Sequence, residues 1–146
     1  MKAPPTGWPR LTACLYYNDP RTAIDWLCRA FDFKVRMIVD APDGSLAHSE
    51  LEFGDALLMV GASSQTSGRP DRPHCQSPAT LDGANTCNLC LHVDSTDEHC
   101  SRARAAGARI TYEPTTTDYG ADYWADRNYE AVDLEGHHWW FMERVR

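Results

Sequence analysis

The chain holds 146 residues with a net charge of −7, 42% hydrophobic and 24% charged, the balance of a globular domain large enough to build a core unaided. No cluster of Lys or Arg supplies the basic face that nucleic acid or an anionic membrane requires, and no apolar run is long enough for a membrane helix, so neither partner is expected. The opening MKAPPTGWPR carries charge but no apolar segment, so no secretory signal is expected, the cytoplasm is the default compartment, and the six cysteines are read as free thiols.

In chain order, residues 11–17 (LTACLYY) read as a strand, and Asn18-Asp19-Pro20 then supplies an N-cap with proline in the first turn. Ala23, Ile24, Leu27, Cys28 and Phe31 recur at helical spacing through Phe31. Residues 34–40 form the next strand, a Pro42–Gly44 turn follows, and residues 47–53 alternate as a strand. A two-residue turn at Gly54-Asp55 returns the chain as a strand over 56–60. Residues 62–86 are rich in Ser, Pro, Gly and Thr without periodicity, and read as a linker or a functional lid. The order then repeats. A strand over 86–93 leads to a cap within Asp94–Asp97, a helix over 98–106 closed by Gly107, and a strand over 108–113. A polar turn through 115–126 precedes strands over 128–132 and 138–143, joined at Leu134–Gly136. The two capping aspartates, Asp19 and Asp94, stand 75 positions apart, and an internal repeat of this kind dominates the organisation. Cys87 and Cys90 match C-x-x-C, but in a strand they point to opposite faces, which argues against a redox or zinc pair.

The ordered set LTACLYYNDPRTAIDWLCRAFDFKV, ELEFGDALLMVG, LCLHVDSTDEHCSRARAAGARI and DRNYEAVDLEGHHWWFMER resembles the vicinal oxygen chelate superfamily of glyoxalases, bleomycin resistance proteins and dioxygenases, with the closing piece most similar to the PhnB-like/bleomycin-resistance branch. The resemblance implies an α+β fold of two βαβββ modules forming a cupped mixed sheet with helices on the outer face. It would be a single domain over 1–146, with module 1 at about 10–61, a linker at about 62–85 and module 2 at about 86–144. It also implies homodimers, and a divalent metal held by one ligand from each of four strands. Those four positions fall on Thr12, Met59, Asn88 and Trp140, none of them a carboxylate or imidazole, so no cofactor is expected.

Strand alternation from those positions assigns a cup lining of Tyr16, His48, Glu50, Met59, Asn88, His92, Glu130, His138, Trp140 and Met142. Leu57, Glu52, Cys14, Cys90 and Asn128 share those faces, while Leu51, Phe53, Leu58 and Val60 turn toward the helices. Aromatic, methionine and carboxylate surface suits a planar or cationic small molecule, in the manner of a drug-sequestering protein. The alternative is a metal displaced onto His48, Glu50, His92, Glu130 and His138, serving a lyase, isomerase or dioxygenase. Other expectations are plainer. Glu50 and Glu52 can equally be solvated surface charges, and His74 and His99 carry no specific role. His137 hydrogen-bonds locally, one of Trp139 and Trp140 is core, and Arg127 pairs with Asp126 or a cup carboxylate. The aromatic loop DYGADYWADR closes over a ligand or forms a dimer contact. No nucleophile elbow or phosphate loop is present.

Overall fold

Asp19 decides where the first helix starts: its carboxylate accepts the Thr22 backbone N–H at 3.1 Å, and Pro20 fills the first helical position, where no N–H is needed. The computed structural model of the chain, which describes residues 2, 4–67 and 71–146, places this helix, α1, at Pro20–Phe31, after strand β1 at Ala13–Tyr17. Strands β2 (Lys34–Asp40), β3 (Leu46–Phe53) and β4 (Ala56–Ala62) complete the first module. The second repeats the order: β5 (Leu89–His92), α2 (Thr96–Ala105), β6 (Arg109–Asp118), β7 (Ala125–Val132) and β8 (His138–Arg144). Each module is one four-stranded sheet, ordered β1-β4-β3-β2 and β5-β8-β7-β6, with the first strand parallel to its neighbour and the others antiparallel. Registers match across the repeat, Cys14 opposite Met59 and Cys90 opposite Trp140.

One apolar core joins the modules. Leu51, Leu58, Val60, Phe31 and Phe33 from the first meet Tyr129, Trp139 and Phe141 from the second, all nearly inaccessible to water. The helices pack side by side, with Trp26 Nε1 donating to Ala106 O at 2.8 Å. At one end of the seam, Glu135 in the β7–β8 turn accepts the backbone N–H groups of Asn18 and Asp19 at 2.8 and 3.0 Å and the Ser77 hydroxyl. At the N-terminus of α2 the corresponding service is performed within the module, by Glu143 on the Thr96 N–H at 2.9 Å.

Several expected boundaries move. β6 continues to Asp118 and β7 begins at Ala125, so most of the segment read as a turn is a hairpin, with Thr115 opposite Asn128 and Asp118 opposite Ala125. Three consecutive threonines favour extended backbone, and their polarity reflects exposure on an edge strand. α2 starts earlier, at Thr96 with Ser95 as its cap, and β5 starts later, leaving Asn88 exposed before it. The linker holds a 3₁₀ turn at Pro78–Thr80 and a buried Cys75, while residues 68–70 of it lie outside the described set. His99 is not idle. Buried against α1, its Nδ1 lies 2.6 Å from the Tyr129 hydroxyl and its Nε2 3.2 Å from Phe31 O. Arg127 pairs with Asp97 on α2 at 2.7 Å rather than with Asp126; Asp126 is taken by Arg144. His137 does bond locally, to Asp133, and Trp139 is the core tryptophan.

Candidate functional site

Strand alternation sends Leu51, Leu58 and Val60 beneath the helices and leaves the other face of each sheet free for polar chemistry. On the first sheet that face carries Cys14, Tyr16, His48, Glu50 and Met59, with Arg36 contributed by β2. Glu50 is 3% exposed, so it is not the solvated surface charge that its strand position also allowed. A buried carboxylate needs compensation. It comes from His48 Nε2, 2.9 Å from Oε1, and from the Arg36 guanidinium, whose Nε lies 3.3 Å from Oε2. Oε2 nonetheless has no hydrogen-bond partner of good geometry. Arg36 is in turn held from above, donating from Nη1 to Gly7 O at 2.8 Å, so the N-terminal arm lies against this face. Gly7, Trp8 and Pro9 wall a cavity of about 530 Å³ together with Arg36 and Leu57. Leu57 is 5% exposed, although it lies on the face expected to be open.

On the second sheet Glu130 is the centre. Its Oε1 lies 2.8 Å from His138 Nδ1 and its Oε2 accepts the Thr111 hydroxyl at 2.5 Å. Partial burial pushes this carboxyl up, but the bonds from Thr111 and His138 outweigh that and hold it below the usual glutamate range. Trp140 sits opposite Glu130 in register, with the Tyr112 ring 5.4 Å from its own. Met142 lies opposite both His92 and Asn128. The expected lining therefore splits into two fields. His48 and Glu50 make one hydrogen-bonded pair, and Glu130 and His138 with Trp140 make up the other field.

The four positions that the resemblance assigns to a metal offer a hydroxyl, a thioether, an amide and an indole, a donor set that does not fit a hard or borderline divalent cation. The five displaced candidates fall into the two His–Glu pairs plus a separate His92, and no group of three or more His, Cys, Asp or Glu side chains is arranged to hold a metal among the described residues.

Against known proteins, the family model of the Glyoxalase/Bleomycin resistance protein/Dioxygenase superfamily matches residues 10–141. The chain belongs to this superfamily. Among solved structures, this superfamily member is similar to TioX from Micromonospora sp. ML1, 32% identical with a TM-score of 0.67, over 92% of this chain and 98% of that one. It shares the fold, at 13% identity and a TM-score of 0.63, with the fosfomycin resistance protein FosX from Listeria monocytogenes, solved with Mn(II) and sulfate, over 92% and 91% of the two chains. An uncharacterized Mycobacterium tuberculosis protein, Rv0887c, is 30% identical, over 94% of this chain and 76% of its own length.

Three residues beside the two fields escape a reading by strand alternation. Arg36 reaches Glu50 from β2, where register is interrupted by a bulge between Val35 and Met37. Tyr112 reaches Trp140 from a strand whose pairing is likewise broken. Cys75 comes from a linker without periodicity. Of the three, only Arg36 leaves a mark in the sequence, as a charge set among the apolar residues of KVRMIVD.

Proposed function

We propose that the protein binds a planar or cationic small molecule on its open sheet faces without a metal, in the manner of a drug-sequestering member of the superfamily. The observation that carries this reading is the pairing of an accessible aromatic couple, Tyr112 and Trp140, with a carboxylate, Glu130, held ionised beside them. Stacking and cation–π attraction there contribute about 0.5–2 kcal/mol per contact. Calorimetry against a panel of planar and cationic natural products tests it. Binding in the micromolar range or tighter is expected, weakened about tenfold in Trp140→Ala and in Glu130→Gln. A panel that yields no heat overturns it.

The cup is completed by a second copy of the chain. An apolar cleft of about 370 Å³ runs between the unpaired edges of β1 and β5, lined by Ala13, Leu57, Leu89, Leu91 and Trp139, and supports this. So does β2, where Val35, Met37, Ile38 and Val39 are all at least 38% exposed. Size-exclusion with light scattering is expected to give a dimer at micromolar concentration; a strict monomer refutes it.

The two His–Glu pairs favour a second reading, a metal-dependent lyase, isomerase or dioxygenase that gathers its ligands only when two modules face each other. Metal analysis of untagged protein separates the readings, since stoichiometric Zn, Ni, Mn or Fe supports the second. The cytoplasm is the compartment proposed.

A further inference from the structure

The two sheet faces differ where the repeat makes them comparable. Met59 stands opposite Cys14 as Trp140 stands opposite Cys90, so Leu57 and Met59 of β4 hold the places that His138 and Trp140 hold in β8. The first sheet therefore has no ring where the second has an indole. An indole reaches it from outside the repeat: Trp8, half-buried in the N-terminal arm, walls the cavity of about 530 Å³ to which Leu57 also contributes. Local chemistry holds the arm in this pose. The Trp8 N–H donates to Pro5 O at 3.0 Å, closing a turn in which Gly7 takes φ +78, a value suited to glycine. The Gly7 carbonyl meets Arg36 Nη1 at 2.8 Å, and a Cβ at Gly7 would come within 3.4 Å of the guanidinium.

We propose that the cavity between the N-terminal arm and the first sheet binds a flat organic cation, with Trp8 as its aromatic wall and Glu52 and Asp55 as its counter-charge. This rests on the reading that the protein takes planar or cationic molecules, and adds a place for them apart from Tyr112 and Trp140. Charge decides the class of guest. The charged residues lining the cavity are Arg36, Glu52 and Asp55. The Arg36 guanidinium is already engaged, by Glu50 Oε2 at 3.3 Å and by Gly7 O. Lys34, opposite Glu52 in register, is taken by Asp32 at 2.8 Å. The lining is left with two exposed carboxylates and an indole, which attracts a cation over its face and stacks against a flat one. Pro9, Ala56 and Leu57 add the apolar surface that a ring system needs, and the volume lies within the roughly 300–1,000 Å³ of small-molecule pockets. An anion of the same shape would face both carboxylates and find the one guanidinium occupied.

The probe is proflavine, a flat tricyclic cation, titrated into the full isotope-labelled chain and followed through its N–H resonances. The Trp8 indole N–H, the Arg36 Nε–H and the Gly7, Gly54 and Leu57 amides are expected to move together along one saturating curve. Trp8→Ala and Glu52→Gln each weaken that binding by about five- to tenfold. Neither side chain belongs to the core, so both variants keep the wild-type spectrum away from the cavity. A naphthalenesulfonate, flat but anionic, leaves the same signals still; equal movement by both probes overturns the charge assignment and the proposal with it. Proflavine that moves only the signals of Glu130 and Trp140 overturns it too, and leaves the second face as the binding surface. Deletion of residues 2–9 that tightens binding makes the arm a plug rather than a wall, which also refutes it. Proflavine that moves nothing, while other planar or cationic natural products still give heat, removes this site but not the reading it rests on; if they too are silent, both fall.

Discussion

Asp133 shows what a single carboxylate does in this protein. With its side chain fully enclosed, it takes the Tyr17 hydroxyl at 2.5 Å and Trp139 Nε1 at 3.1 Å on one oxygen. The other oxygen accepts the backbone N–H groups of Glu135, Gly136 and His137, each at 3.0 Å. Burial alone would raise its carboxyl, but His137 and these bonds hold it below the usual aspartate range. Tyr17→Phe removes one bond to a buried charge and is expected to cost about 2 kcal/mol in urea denaturation. Acid acts on two residues in turn. His99 is buried neutral, with Nε2–H donating to Phe31 O, and burial lowers its folded value below the ordinary 6.5. Its contribution is complete above pH 6.5 and is lost as pH falls below that toward the folded value. Asp133, shifted the same way from 3.8, contributes fully above pH 3.8 and loses that contribution as pH falls through its lower folded value. Stability is therefore expected to begin declining near pH 6.5, with a slope up to about 1.4 kcal/mol per pH unit for one proton. His99→Gln should flatten that first decline in pH-dependent denaturation, leaving the later one in place.

At the scale of elements, β1 and β4 make the clearest test of packing. Gly61→Val puts a branched side chain where the Tyr16 ring now lies 3.3 Å from the position of a Cβ. The ring must move, at an expected cost of about 1–2 kcal/mol by thermal denaturation, while Met59 beside it is left in place. The same two strands explain what a sequence can disclose. The Asp19-Pro20 helix start, the Gly54-Asp55 turn and the inward and outward faces of β3 and β4 are local patterns, so residues alone reveal them. The β6–β7 hairpin stays hidden because Thr115 and Thr116 are extended yet solvent-facing, which breaks the hydropathy signal but not the backbone preference. Glu50 is ambiguous in sequence because its burial depends on Arg36 from another strand. His99 escapes notice because what buries it belongs in part to the other module, Phe31 and Phe53 packing against its ring from α1 and β3. Local pattern fixes which face a residue takes, and only tertiary packing fixes whether that face is covered.

Across the whole molecule the repeat is closely kept in topology and register, but not at its seam. At one end Glu135 ties the β7–β8 turn to the start of α1 and to Ser77 in the linker. At the other, the β3–β4 turn and the end of β5 leave between them a cavity of about 370 Å³, lined by Glu52, Gly54, His92 and Asp94, and α2 draws its cap from Glu143 in its own module. Glu135 is not the sole tie, however: the shared core, the Trp26–Ala106 bond and the Asp32–Arg102 pair at 3.0 Å hold the two halves along the rest of the seam. Mechanically the two sheets behave as one piece of masonry rather than a hinge. A guest or a second chain is met by faces whose mutual angle is already set, so selection falls on the guest's shape and not on any yielding of the halves.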